Sequence, residues 1–126
     1  MFKFIRSLLL LPFLAAGAAL AGGAPYDAAK FDALNAEGKP ILIAIHADWC
    51  PTCQAQDPII SGLLTKPEFQ GITAFRVDFD GQQEAVKRFK ASMQSTLILF
   101  KGGKELGRSL GETRQDAIAA LLKQAL

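Results

Sequence analysis

The first residues of the chain carry a pattern unlike the rest. Lys3 and Arg6 precede an apolar run from Leu8 to Leu20, interrupted by Pro12 and Gly17 and closed by the small-x-small triplet Ala19-Leu20-Ala21. Basic, apolar and small residues in that order read as a secretory signal peptide over residues 1–21. Cleavage is expected after Ala21, with Ala18 and Ala24 as alternative sites. An uncleaved N-terminal membrane anchor is the weaker reading, because a span takes about 20 apolar residues and this run is shorter.

From residue 22 onward the pattern is that of a folded domain. Gly22 to Pro25 reads as a linker, and Asp27 can cap a helix reaching about Glu37, with Ala28, Phe31 and Leu34 at helical spacing and Gly38 as its stop. Ile41-Leu42-Ile43-Ala44-Ile45 is a continuous apolar run, as expected of a strand buried on both faces. A helix from Pro51 to about Leu64 turns Ile59, Ile60, Leu63 and Leu64 inward, with Pro58 as a kink. Ile72 to Asp78 reads as a strand, Gln82 to Lys90 as a short helix burying Ala85, Val86 and Phe89, and Thr96 to Phe100 as a third strand. Gly102-Gly103 is a hairpin signal, returning through Lys104 to Leu110. Thr113 with Asp116 can form a capping box for a last helix that buries Ile118, Leu121 and Leu122. A parallel pair joined through a helix, followed by an antiparallel hairpin, predicts a mixed sheet with helices on both faces, in the α/β class.

Composition narrows the picture. Removing Lys3 and Arg6 from the 14 basic residues leaves 12 against 12 acidic ones, so the +2 excess belongs to the leader. A near-neutral domain with no long run of one sign excludes nucleic acid as an expected partner. About 105 residues from position 22 onward suffice for one domain with one modest core.

The 2 cysteines, Cys50 and Cys53, share one Cys-x-x-Cys. As a staple this pair would be poor: a four-residue ring gains about 2 kcal/mol in the chain-entropy model, against nearly 5 for a hundred residues. The spacing favours chemistry. Cys50 stands where a buried strand gives way to a helix, and a helix N-terminus offers unpaired N–H groups and partial positive charge. Both stabilise a thiolate, the reactive form in disulfide exchange. Pro51 suits the first helical turn, and Cys53, one turn on, is within reach of Cys50 and expected to be the more buried.

Ala47-Asp48-Trp49-Cys50-Pro51-Thr52-Cys53 resembles the active-site stretch of the thioredoxin family, Pro58 matches that family's helix-kinking proline, and Thr96-Leu97-Ile98-Leu99-Phe100-Lys101-Gly102-Gly103-Lys104 is similar to its strand-turn-strand. The resemblance spans roughly residues 27–126 and implies a thioredoxin-like single domain over residues 22–126. The family's first edge strand is not evident. The leader and the Ala-Asp-Trp-Cys stretch are most like periplasmic thioredoxin-like reductases and the C-terminal domain of the transmembrane thiol:disulfide interchange reductase. The resemblance implies a thiol:disulfide oxidoreductase without a cofactor, with Cys50 as nucleophile, Cys53 as resolving thiol and a redox disulfide between them. Trp49, Pro51, Thr52, Asp48 and Ser95 support the site. The expected setting is the periplasm, the expected form a monomer, and the expected partners are disulfide-containing proteins and an upstream membrane electron carrier.

Three positions depart from the family. Ser95 replaces its cis-proline, and because a cis bond before a non-proline residue costs about 3 kcal/mol, a trans Gln94–Ser95 bond is expected. Ala44 stands where cytosolic thioredoxins keep a buried acid, so Cys53 must lose its proton to water or another group such as Asp48. Pro51-Thr52 differs from thioredoxin's own pair, which leaves redox direction open, with a reductant favoured by the resemblance. The competing reading is a copper or zinc carrier built on Cys50 and Cys53, with His46 as a third ligand if it shares their side of the strand. A third is a binding module that uses its cysteines little. Asp78 and Asp80 read as a loop rather than a cation site.

Overall fold

The computed structural model describes residues 23–126, so the leader and the cleavage sites after Ala18 and Ala21 lie outside the described residues, whereas the alternative site at Ala24 lies inside them. The chain runs β1 (Ala24–Pro25), α1 (Ala28–Ala36), β2 (Pro40–His46), α2 (Pro51–Leu64), a 3-10 turn at Pro67–Phe69, β3 (Thr73–Asp78), α3 (Gln83–Arg88), β4 (Thr96–Lys101), β5 (Lys104–Leu110) and α4 (Gln115–Lys123). One five-stranded sheet has the order β1-β3-β2-β4-β5. β2 is central, parallel to β3 with Ile43 opposite Phe75, and antiparallel to β4 with Ile43 opposite Ile98.

The uninterrupted apolar run of β2 follows from this position, since both faces of the sheet are covered. Leu42 and Ala44 join Leu97 and Leu99 beneath Ile60 and Leu63 of α2 and Ile118 and Leu122 of α4. Ile41, Ile43 and Ile45 face the other way, with Phe75 and Val77, against Phe31 of α1 and Ala85 of α3. Aromatic rings fill that second layer, where Phe31 lies 5.2 Å from Phe89 and 5.3 Å from Phe100, both edge-on.

Most elements lie where periodicity places them. The hairpin turn has both glycines at positive φ, 59° for Gly102 and 79° for Gly103, the geometry that matches strand twist and that glycine adopts without cost. Two expectations need correction. The segment read as a linker holds the edge strand β1, in which Ala24 and Pro25 pair with Phe75 and Arg76. Two residues are too few to show a period, and Pro25 is tolerated because an edge strand has one unpaired side. The capping box before α4 does not form: the N-cap is Arg114, Asp116 accepts the Ala117 N–H at 2.9 Å, and Glu112 accepts the Arg114 N–H at 2.9 Å. The Glu112–Arg114 ion pair, 3.0 Å, sets the turn in its place.

Candidate functional site

β2 ends at His46, and a three-residue turn carries the chain into α2, with the Cys50 N–H donating to the Ala47 carbonyl at 3.1 Å. Cys50 is the N-cap of α2 and Pro51 its first helical residue. The Cys50 sulfur therefore does what an N-cap oxygen does: it accepts a helix-terminal N–H, that of Cys53, at 3.2 Å. Cys53 lies one turn along, facing inward.

Because β4 runs antiparallel to β2, the residues just before β4 arrive beside the end of β2. Ser95 is one of them. Its N–H donates to the Ile45 carbonyl at 2.8 Å, and its hydroxyl lies 3.1 Å from the Cys50 sulfur and 3.2 Å from the Cys53 sulfur. No peptide bond among the described residues is cis, as expected for Gln94–Ser95, and Ser95 takes φ of 62°. Both cysteines are free thiols, Cys50 3% exposed and Cys53 1%.

The two sulfurs differ electrostatically. Burial pushes the Cys50 thiol up, but hydrogen bonds from the Cys53 thiol, the Ser95 hydroxyl and the Cys53 and Thr52 backbone outweigh it, so Cys50 ionises below the ordinary thiol value. Burial pushes Cys53 up, and the neighbouring Cys50 adds to the rise. Of the two, Cys50 is thus the thiol that loses its proton first and Cys53 the one that keeps it longer.

The family model for thioredoxin matches residues 24–124. The chain belongs to the thioredoxin family. It is 33% identical over 84 residues to thioredoxin of Chlamydia trachomatis, covering 67% of this chain and 80% of that one. With thioredoxin of Chlamydia caviae the identity is 31% over 98 residues, 78% of this chain and 93% of the relative. Among solved structures, Trxlp from Edwardsiella tarda superposes with a TM-score of 0.77 at 40% identity, covering 79% of this chain and 96% of that one. Thiol:disulfide oxidoreductase activity at the Cys50–Cys53 pair, acting on disulfide-containing proteins, follows from this membership.

The remaining residues singled out in the sequence are distributed around this thioredoxin-type pair. Trp49 is 58% exposed, and its indole N–H donates to Asp80 at 2.7 Å; Asp80 thus serves the tryptophan. The Asp48 side chain is 99% exposed, and its recorded partner is His46, 3.6 Å away. Among the described residues no carboxylate is hydrogen-bonded to either sulfur, and the Asp48 side chain faces His46 rather than Cys53. Pro51 is exposed and Thr52 half-buried at the helix start. His46 turns toward α2, where its Nε2 lies 3.3 Å from Asp57, which also pairs with Arg76 at 2.9 Å. Among the described residues no three His, Cys, Asp or Glu side chains are grouped to hold a metal, so His46 does not join the sulfurs. Strand alternation sends it to the α2 face along with Leu42 and Ala44.

Sequence reasoning missed Gln56. This buried side chain of α2 donates to the Ser95 carbonyl at 3.2 Å and to the Glu112 carbonyl at 2.9 Å. A signal was present: Cys53, Gln56, Ile60 and Leu63 form one helical stripe, and a polar residue on such a stripe must find buried partners.

Proposed function

We propose that this thioredoxin-family protein is exported to the periplasm through a cleaved leader and works there as a monomeric reductant of disulfide-bearing proteins, recharged by a membrane electron carrier. Cys50 is the attacking sulfur and Cys53 the resolving one. The observation that carries these roles is the asymmetry of the pair. Cys50 caps the helix and ionises more readily than an ordinary thiol, whereas Cys53 is deeper and ionises less readily. Cys50 attacks a substrate disulfide to give a mixed disulfide; Cys53 then attacks the Cys50 sulfur, releasing the reduced substrate and closing the Cys50–Cys53 bond. Trp49, pinned by Asp80 beside Cys50, presents an exposed apolar surface for docking.

Export rests on the order of charge, apolarity and small residues in positions 1–21. An upstream reductase is supported by chemistry, since a reductant in an oxidising compartment needs a source of electrons. It is also supported by a relative named bifunctional thioredoxin reductase/thioredoxin, from Mycobacterium leprae, which is 28% identical over 92 residues covering 20% of that protein.

A Cys53→Ser variant expressed with its leader tests this reading. Substrates are expected to accumulate as mixed disulfides on Cys50, in the periplasmic fraction, on a chain that begins at residue 22. Recovery of no linked partner, or a wild-type pair found mostly oxidised in cells whose electron carrier is intact, would overturn it.

A further inference from the structure

Ser95 does more than fill the place of a proline. Its hydroxyl is almost equidistant from the two sulfurs, at 3.1 Å and 3.2 Å, in a pocket where Ser95 is 4% exposed. Its backbone is held by three hydrogen bonds: to Ile45 at 2.8 Å, from Gly111 at 2.9 Å and from Gln56 at 3.2 Å. Those bonds hold the residue at a φ of 62°, a conformation that a side chain with a Cβ disfavours and that persists only where the surroundings enforce it. A hydroxyl has one proton and two lone pairs, so it can donate to one sulfur while accepting from the other.

We infer that Ser95 is a catalytic residue whose hydroxyl turns between the sulfurs, donating to Cys50 during attack and to Cys53 during resolution. The inference rests on the oxidoreductase reading and supplies what Ala44 cannot, a buried polar partner for Cys53. In the first step the Cys50 thiolate forms a bond to one substrate sulfur, and the other substrate sulfur leaves with the electron pair of the broken bond. In the second step Cys53 bonds to the Cys50 sulfur, the substrate sulfur leaves with its electron pair, and the proton from Cys53 ends on that departing thiol. Two electrons pass from the dithiol to the substrate. Ser95 keeps its own proton throughout and only redirects it, following the negative charge as it moves from one sulfur to the next.

Dithiobis(nitrobenzoate), an aromatic disulfide whose released thiolate is coloured, separates the steps in stopped flow. Attack by Cys50 gives a first, concentration-dependent release; resolution by Cys53 gives a second, first-order release. The coloured group leaves unprotonated, so the pH midpoint of the second phase reports ionisation of Cys53. Ser95→Ala removes the hydroxyl and keeps the backbone cost, whereas Ser95→Gly removes both. In both variants the two midpoints are expected to rise by about one pH unit, with each phase about tenfold slower below its plateau. An unmoved second midpoint in either variant overturns the inference, as does a glycine variant that matches the wild type while the alanine variant is slow. Two phases in the wild type with unaffected variants sink only the role of Ser95. A wild type that never shows the second release sinks the oxidoreductase reading itself.

Discussion

Replacing Gln56 by leucine keeps the helical preference of the side chain and deletes two hydrogen bonds behind the dithiol. Both partners are carbonyls, those of Ser95 and Glu112 at 3.2 Å and 2.9 Å, so only the amide NH2 can serve them. The Ser95 carbonyl retains the Gly111 N–H at 2.9 Å, which limits its loss to about 1 kcal/mol. The Glu112 carbonyl has no second recorded donor among the described residues, and its loss is about 1–2 kcal/mol. Better burial of the apolar leucine offsets about 1 kcal/mol. The net cost is therefore about 1–2 kcal/mol, which for a domain of this size lowers Tm by roughly 5–15 °C. Thermal unfolding followed by circular dichroism measures it. Gln56→Glu adds a second readout, because a carboxyl facing two carbonyls must be protonated to donate. Its folded-state pKa then lies above the unfolded value of about 4.3, and the folded state binds more protons between the two values. Stability of that variant is full below the unfolded pKa and falls by up to about 1.4 kcal/mol per pH unit as pH rises toward the folded one. A leucine variant as stable as the parent, or a glutamate variant indifferent to pH between about 4 and 7, would refute the reasoning.

Two further outcomes follow from the fold and the dithiol. Because Cys50 ionises below an ordinary thiol, the folded reduced protein loses that proton first, so its stability rises with pH between the depressed value and the ordinary one. Urea unfolding of the reduced protein across that window should show the rise and Cys50→Ser should lack it; identical pH profiles would contradict the assignment. Phe31→Ala removes a fully buried ring that contacts Phe89, Phe100 and Tyr26 and underlies the Arg88 guanidinium, 4.9 Å away. A loss of about 3–5 kcal/mol is expected, and a loss below about 1 kcal/mol would mean that this aromatic layer is not the packed core described.

The chemistry of Cys50 is written in about a dozen consecutive residues. A buried strand, a turn, a cysteine, Pro51 and an amphipathic helix dictate an N-cap sulfur wherever the rest of the chain goes, because capping and helical periodicity are local. For the same reason the central strand and the Gly102-Gly103 turn are legible without coordinates: two-sided burial and positive φ leave marks on neighbouring residues. What surrounds the sulfurs was decided elsewhere. Ser95 lies 45 residues from Cys50 in the chain, and its hydroxyl reaches both cysteines only because β4 pairs antiparallel with β2 in one register. Gln56 becomes a strut only once the loops before β4 and after β5 close over its helix face. His46 could have faced either side until the sheet met α2 and Asp57, and β1 exists only because β3 offers two residues an edge to join. Local patterns state what a segment can form, whereas long-range pairing selects which distant polar groups meet, and that selection made a dithiol into a particular site.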